Sequence, residues 1–344
     1  MSIAGKKILL ISNHGFSKQI SEEIKSLDGE VIFVNDKPND GLIAKTLGRV
    51  KFKPYIRCVL EKYYSNIIDD ISEETIDYIL VIRGEYTPIG ALKKMRKVFP
   101  NANMVLYMWD SIINNRGIEK KWSYYDEVWT FDRKDYCEHK ECLKFRPLFY
   151  CEKLLPDAKN QHSQKYDLAF VGTGHEDRIA IIKEIDRQCK DNGLKFFYYI
   201  YVPHIFVYYY NKIFNKHYKY VRRSDVNFEL MPLDEVYRIY SNSKCILDVE
   251  SSTQTGLTMR TTEIVGIKKK LMTTNKDIIN YDFYSANNIF VFERTKGKIS
   301  KDFFDKEYKE IPKEIYDKYS LKFWVLEVLG EKKLEGFEFE SNTD

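Results

Sequence analysis

No stretch of the 344 residues holds the ~18 uncharged apolar side chains that a membrane span requires, so any bilayer contact would have to be peripheral. The opening, Met1-Ser-Ile-Ala-Gly-Lys-Lys-Ile-Leu-Leu-Ile, has an apolar run shorter than the core of a secretory signal, and a cytoplasmic protein is expected. Cysteine forms no framework: Cys58, Cys137, Cys142, Cys151, Cys189 and Cys245 are scattered, which fits a reducing compartment. The C-x-H-x2-C spacing of Cys137, His139 and Cys142, with Cys151 nearby, matches no familiar zinc site, and no metal is expected. Charge of one sign is lacking too. Fifty-five basic residues against 51 acidic ones give a net +4, too mild for a dedicated nucleic-acid binder.

What is present is apolar material for two cores. Hydrophobic residues make up 44% and charged residues 31%, and the length suits two α/β domains. Lys7–Ser12 reads as a buried strand, Ser17 to Leu27 as a helix and Glu30–Asn35 as a second strand. Ile76–Arg83 is another apolar run, followed by Thr87-Pro88 as the N-cap and first-turn proline of a helix. Met104–Trp109, Glu127–Phe131 and a helix over Asp135–Cys142 continue the alternation. The pattern implies a parallel sheet covered on both faces.

Between Glu152 and Lys165 the chain turns polar and loses periodicity, as a connection between domains does. Alternation restarts with Tyr166–Val171, a helix from Asp177, and Leu194–Val202. It goes on through a helix at Leu233–Ser241, strands at Cys245–Glu250 and Lys270–Thr274, and Ile289–Glu293. Pro312–Leu329 reads as one long amphipathic helix. The expected division is an N-terminal domain over 1–155, a second over 162–311, and a helix and tail over 312–344 packing back on the first.

Two doubly wound domains facing a cleft bind ligands at the carboxyl ends of their strands, so the loops after strands are the places to search. The first such loop of the second half contains Gly172, Thr173 and Gly174, then Arg178 one turn into the helix. Its glycines would let backbone approach a phosphate, with Arg178 as countercharge; a plain strand-to-helix turn fits as well. It lacks the third glycine of a dinucleotide fingerprint and is no Walker A loop. More informative is the segment from Asp248 to Glu263, where hydroxyl residues, Thr255 and Gly256 lead into a helix carrying Arg260 and Glu263. Three apart, Arg260 and Glu263 share one helix face; the arginine could meet a diphosphate and the glutamate could accept from both ribose hydroxyls. A salt bridge between the two is the structural alternative.

The segment GLTMRTTEIVGIKKKLMTTN, with YDLAFVGTGHEDR, resembles the donor-binding half of GT-B glycosyltransferases, most closely those of bacterial capsule, exopolysaccharide and lipopolysaccharide synthesis and the CgeB-like group. YMWDS and YDEVWTFDRKD…FRPLFY look similar to their first-domain segments, and the likeness spans most of 76–293. The resemblance implies a GT-B fold of two Rossmann-like domains, the N-terminal one for the acceptor and the C-terminal one for the donor. It implies a nucleotide-sugar as substrate, no separate cofactor and no metal; no aspartate pair resembling D-x-D stands in a suitable place. The acceptor it implies is a saccharide or polyprenyl-linked saccharide. One departure leaves the stereochemical course open: the glutamate that the retaining pattern carries seven to eight positions upstream of Glu263 is replaced by Thr255 or Gly256.

Glycosyl transfer needs an acceptor hydroxyl deprotonated as the anomeric carbon becomes electrophilic, so a strand-end carboxylate or imidazole of the first domain is sought. Asp110 follows an apolar strand directly and is placed first, then Glu85 of the Arg83-Gly84-Glu85 cluster, then His14. Other readings stay open: a sugar-nucleotide epimerase of the same fold, or a non-catalytic nucleotide-binding or coat-associated protein. Two aromatic and basic stretches, Lys45–Tyr64 and Phe196–Arg223, suit the headgroup zone at the inner face of a membrane, and equally a buried strand with an exposed helix or a dimer interface.

Overall fold

The computed structural model describes residues 3–38, 53–155, 164–174, 177–251, 254–295 and 297–332, without the side chains of 53–55. His175, Glu176 and the 45–52 part of the first basic stretch lie outside the described residues. The chain divides into two compact units, Met1–Pro147 with Leu321–Asp344, and Leu148–Ser320.

The first unit is built on six strands: β1 Lys7–Ile11, β2 Glu30–Val34, β3 Tyr78–Ile82, β4 Asn103–Met108, β5 Glu127–Thr130 and β6 Lys144–Phe145. They lie in the order β2-β1-β3-β4-β5-β6, and every pairing is parallel. The central strands read as continuous apolar runs because helices cover both faces. Those helices include α1 Ser17–Ser26, α2 Lys53–Asp70, α3 Ile89–Val98 and α4 Arg133–Glu138. Thr87 does not cap α3 as its position suggests. Pro88 occupies the cap site without a side-chain bond, while the Thr87 hydroxyl is buried 3.3 Å from that of Tyr64.

In the second unit five parallel strands, β7 Tyr166–Thr173, β8 Phe196–Tyr201, β9 Ser243–Asp248, β10 Lys270–Thr273 and β11 Ile289–Val291, take the order β11-β10-β9-β7-β8. The winding repeats that of the first sheet, with the second strand on one side of the first and the third strand on the other. Each sheet therefore has one reversal point, between β1 and β3 and between β7 and β9. Connecting helices are α5 Arg178–Asp191, α6 Ile205–Phe214, α7 Leu233–Ser241, α8 Met259–Gly266, α9 Lys301–Asp305 and α10 Lys313–Lys318.

The terminal segment departs from the expected single helix. It forms α10 and then a separate α11, Leu321–Val328, because Tyr319 and Ser320 between them adopt a strand-like bridge to Tyr150, whose N–H donates to the Tyr319 carbonyl at 2.8 Å. α10 belongs to the second unit and α11 to the first. There Trp324 is fully buried with its ring 4.7 Å from that of Tyr107, and Glu327 forms a 2.8 Å ion pair with the wholly buried Arg146. The unit boundary at Pro147–Leu148 precedes the polar stretch that marks a connection in sequence. Residues 148–151 are committed to the second unit by the Tyr150 bridge and by the Thr262 hydroxyl, which donates to the Phe149 carbonyl at 2.8 Å.

Candidate functional site

Around the reversal point of the second sheet, the ends of β7 and β9 face the start of α8. Asp248, with no solvent exposure, ends β9 and organises the entry to that helix. One carboxylate oxygen accepts from Arg260 Nη1 at 2.7 Å; the other accepts from the hydroxyls of Thr258 at 2.9 Å and Thr261 at 3.0 Å. Thr258 in turn caps α8 by accepting the Thr261 N–H. Arg260 also donates from Nη2 to the Val171 carbonyl at 2.7 Å and from Nε to the Tyr240 hydroxyl at 3.2 Å, with its guanidinium 5.0 Å from the centre of the Phe170 ring. The predicted phosphate arginine is thus bonded to its own domain through three nitrogens, stitching β7, β9 and α8 together.

Gly172 and Thr173, expected in the loop after the strand, lie inside β7 opposite Ile200 and Tyr201, and the Gly174 N–H donates to the Tyr201 carbonyl at 2.9 Å, so β7 runs on where the sequence suggests a turn. A Cβ at Gly172 would stand 2.5 Å from Arg260 Nη2, and one at Gly174 would stand 2.8 Å from Ile200 Cγ2, so both glycines are demanded by internal packing. Arg178 Nη1 braces this strand end by donating to the carbonyl and hydroxyl of Thr173, each at 3.1 Å. Thr255 and Gly256 are held from the other side, where Asn275 Nδ2 donates to their carbonyls at 2.9 and 3.4 Å.

Glu263 sits one turn along α8 from Arg260. Burial pushes its carboxyl up to about 7, a shift that the Arg260 charge and the Tyr237 hydroxyl oppose but do not cancel. Among the described residues its one hydrogen bond is from Tyr237 at 3.3 Å, leaving most of its acceptor capacity unspent. Two further polar residues escape the sequence reading, Asn275 after β10 and Arg294 after β11. Arg294 grips Asp177 through two bonds of 2.6 and 2.9 Å and approaches Glu250 at 3.3 Å. Both stand just past strand ends, the positional rule that singles out Asp110 after β4.

At the reversal point of the first sheet, Arg83 follows β3 with φ of 71° and Gly84 comes next at 66°. Two successive left-handed residues, the first carrying a side chain, mark a strained turn. The Gly84 position admits no side chain, since a Cβ would lie 2.8 Å from Leu106 Cδ1. Arg83 gathers two of the predicted carboxylates, with Nη2 2.8 Å from Asp110 and 3.4 Å from Glu85. Lys121 props the turn from beneath, donating to the carbonyls of Gly84 at 2.6 Å and Glu85 at 3.0 Å; burial lowers its ammonium to about 8.

His14, after β1, lies with its ring 4.1 Å from that of Trp109, beside Asp110. Burial, aided by the Arg83 charge and resisted by Asp110, lowers its imidazole to about 4, so it is neutral at physiological pH. Its Nδ1 accepts the Phe16 N–H at 3.4 Å, which turns Nε2–H into a donor. Asp36, beyond β2, is raised by burial and feels both Arg83 and Glu85; sequence reading missed it because it stands two residues past the apolar run. Asp135, in α4, accepts the Ile112 N–H at 2.8 Å, and burial raises it to about 6. Cys137 and Cys142 are exposed while Cys151 is buried, and among the described residues no group of three His, Cys, Asp or Glu side chains could hold a metal ion. No described helix is long and apolar enough to cross a membrane.

No protein-family model matches the chain, and no curated protein matches it in sequence. Solved structures do match over nearly the whole length. Sucrose-phosphate synthase from Thermosynechococcus elongatus aligns with 94% of this chain and 94% of its own at TM-score 0.57 and 10% identity. A glycosyltransferase from Rickettsia africae ESF-5 aligns with 95% of this chain and all of its own, at TM-score 0.57 and 12% identity. UDP-GlcNAc 2-epimerase from Neisseria meningitidis, bound to UDP-GlcNAc, covers 94% of this chain and 98% of its own at TM-score 0.55 and 9% identity. With two parallel α/β domains of six and five strands and these neighbours, the chain has the GT-B fold.

Proposed function

We propose that the chain is a glycosyltransferase that moves a sugar from a nucleoside-diphosphate donor to a saccharide or polyprenyl-linked acceptor, in the synthesis of a bacterial surface polysaccharide. The observation that carries this reading is Glu263, a half-buried carboxylate near the end of the second sheet with, among the described residues, one hydrogen bond and room to accept more. Vicinal ribose hydroxyls are donors of the right spacing for its two oxygens. Binding them favours the ionised form, so the ligand would return the carboxyl toward its ordinary range.

In this reading the diphosphate lies beside the Gly172-Thr173-Gly174 end of β7, against the start of α8, whose first backbone N–H groups favour an anion. Arg260 fixes those two elements and lends them positive charge; Arg178 holds the strand end. Asp110, kept in place by Arg83, takes the proton of the acceptor hydroxyl. Neutral His14 donates from Nε2 to a substrate oxygen, and Glu85 supplies a second carboxylate on the same arginine. The nucleotide-bound neighbour supports a nucleotide-sugar as ligand.

Thermal unfolding measured with UDP, GDP, CDP and their sugars tests the reading. A nucleotide present at a hundred times its Kd adds about 2.7 kcal/mol to the native state. Failure of every nucleotide to stabilise the chain would overturn it, and would favour a non-catalytic protein if Asp110 and Glu263 substitutions were also silent. The epimerase neighbour keeps a second reading open, and turnover of the sugar nucleotide with no acceptor present would favour it.

A further inference from the structure

Helix α6, IFVYYYNKIF, is inside out. Its exposed side chains are Phe206 (75%), Tyr210 (62%), Ile213 (74%) and Phe214 (71%), with Val207 and Tyr209 also in solvent. Spacings of three and four place these on one stripe, and that stripe points outward. The helix turns Tyr208 into the core, where its hydroxyl donates to the Val221 carbonyl. Lys212, its single charged residue, is folded inward and donates to the carbonyls of Tyr218, Lys219 and Val221. A water-soluble surface helix shows the reverse arrangement.

Along the chain the stripe is flanked by cations, and the first carboxylate after it, Asp225, is already paired with Lys183 at 2.9 Å. From Asn192 to Ser224 there is no Asp or Glu, whereas Lys216, Lys219, Arg222 and Arg223 follow α6 directly, all exposed, together with Tyr220 at 83% exposure. Aromatic and aliphatic side chains rimmed by cations are matched to the boundary between acyl chains and anionic headgroups. A second copy of the chain is a poor occupant, since a twofold contact would set the cationic rim against itself.

We infer that α6 and the 216–223 segment form a docking surface for an anionic lipid bilayer, with the apolar stripe entering the headgroup zone and the cations meeting lipid phosphates. The surface lies on the donor domain, and the inference stands whatever reaction the protein performs. Sedimentation with vesicles is the test, using phosphatidylcholine alone and phosphatidylcholine mixed with phosphatidylglycerol. The full chain should pellet with the mixed vesicles at low salt and be released as salt rises.

The Phe206→Ser, Ile213→Ser, Phe214→Ser triple variant should lose binding at every salt concentration. The Lys216→Gln, Lys219→Gln, Arg222→Gln variant should fall about a hundred-fold on mixed vesicles, at roughly five-fold per cation, with little change on neutral ones. Because all six side chains are exposed, both variants should keep the unfolding temperature of the parent. No pelleting of the parent at low salt would overturn the inference. So would concentration-dependent dimerisation that the triple variant abolishes, which would assign the stripe to a protein contact.

Discussion

Arg260 Nη1 lies 2.7 Å from Asp248, a carboxylate with no solvent exposure, and its Nη2 reaches the Val171 carbonyl at the same distance, so one guanidinium joins two strands and a helix. The pair is nearly dry, with Arg260 16% exposed. Replacing Arg260 by Ala leaves Asp248 buried with only hydroxyl partners, and should cost about 3–5 kcal/mol in urea unfolding. Arg260→Lys should recover little of it, since an ammonium cannot reach Asp248, Val171 and Tyr240 together. Parental stability in the alanine variant would show that Asp248 does not depend on the arginine.

Glu263 gives a pH-dependent expectation. Its folded carboxyl is raised from 4.5 to about 7, so between these values the native state holds a proton that the unfolded chain has lost, and its contribution to stability declines as pH rises through this window. Glu263→Gln removes that decline. Relative to the parent, the variant should gain unfolding temperature above about pH 7 and gain little below 4.5, while its affinity for the stabilising nucleotide drops. A stability difference independent of pH would mean that the carboxyl is not raised by burial.

Asp110→Asn separates chemistry from binding. Loss of a general base typically slows turnover by about 10²–10⁴-fold, and nucleotide affinity should stay within a few-fold because Asp110 belongs to the other domain. The side chain is 29% exposed, so thermal stability should hardly change. Unaltered turnover would remove Asp110 from the mechanism and turn attention to Glu85 on the same arginine.

Trp324 is the largest fully buried side chain among the described residues and packs edge-on to Tyr107. Trp324→Ala should cost about 3–5 kcal/mol, read from denaturant unfolding of the first unit. A cost below ~1 kcal/mol would show that α11 contributes little to that core.

Both sheets were legible in sequence because parallel strands buried on two faces leave unbroken apolar runs, as in β3 and β4. Loops past strand ends led to Asp110, Arg260 and Glu263 for the same reason. Pairings between distant residues were hidden. Nothing near Arg83 in sequence announces that it holds Asp110 as well as its cluster neighbour Glu85, and nothing in Pro312–Leu329 signals a break imposed by Tyr150. The glycines at the end of β7 carry a related lesson: their spacing suggests room for phosphate, whereas the nearest obstacles to a side chain there are Arg260 and Ile200. The aromatic and basic character of Phe196–Arg223 was legible, but not which of its readings holds, since periodicity reveals that a helix has an apolar face but not which way it turns.

The return of α11 to the first unit makes that domain discontinuous along the chain. During synthesis, Arg146 leaves the ribosome 181 residues ahead of the Glu327 that neutralises it, and Tyr107 waits longer still for Trp324. At cellular elongation speeds this delay is roughly ten to forty seconds, in which the whole second unit is made first. The nascent N-terminal sheet must spend that interval with one wall open, and a chaperone that shields it would be expected to let go only after α11 has emerged.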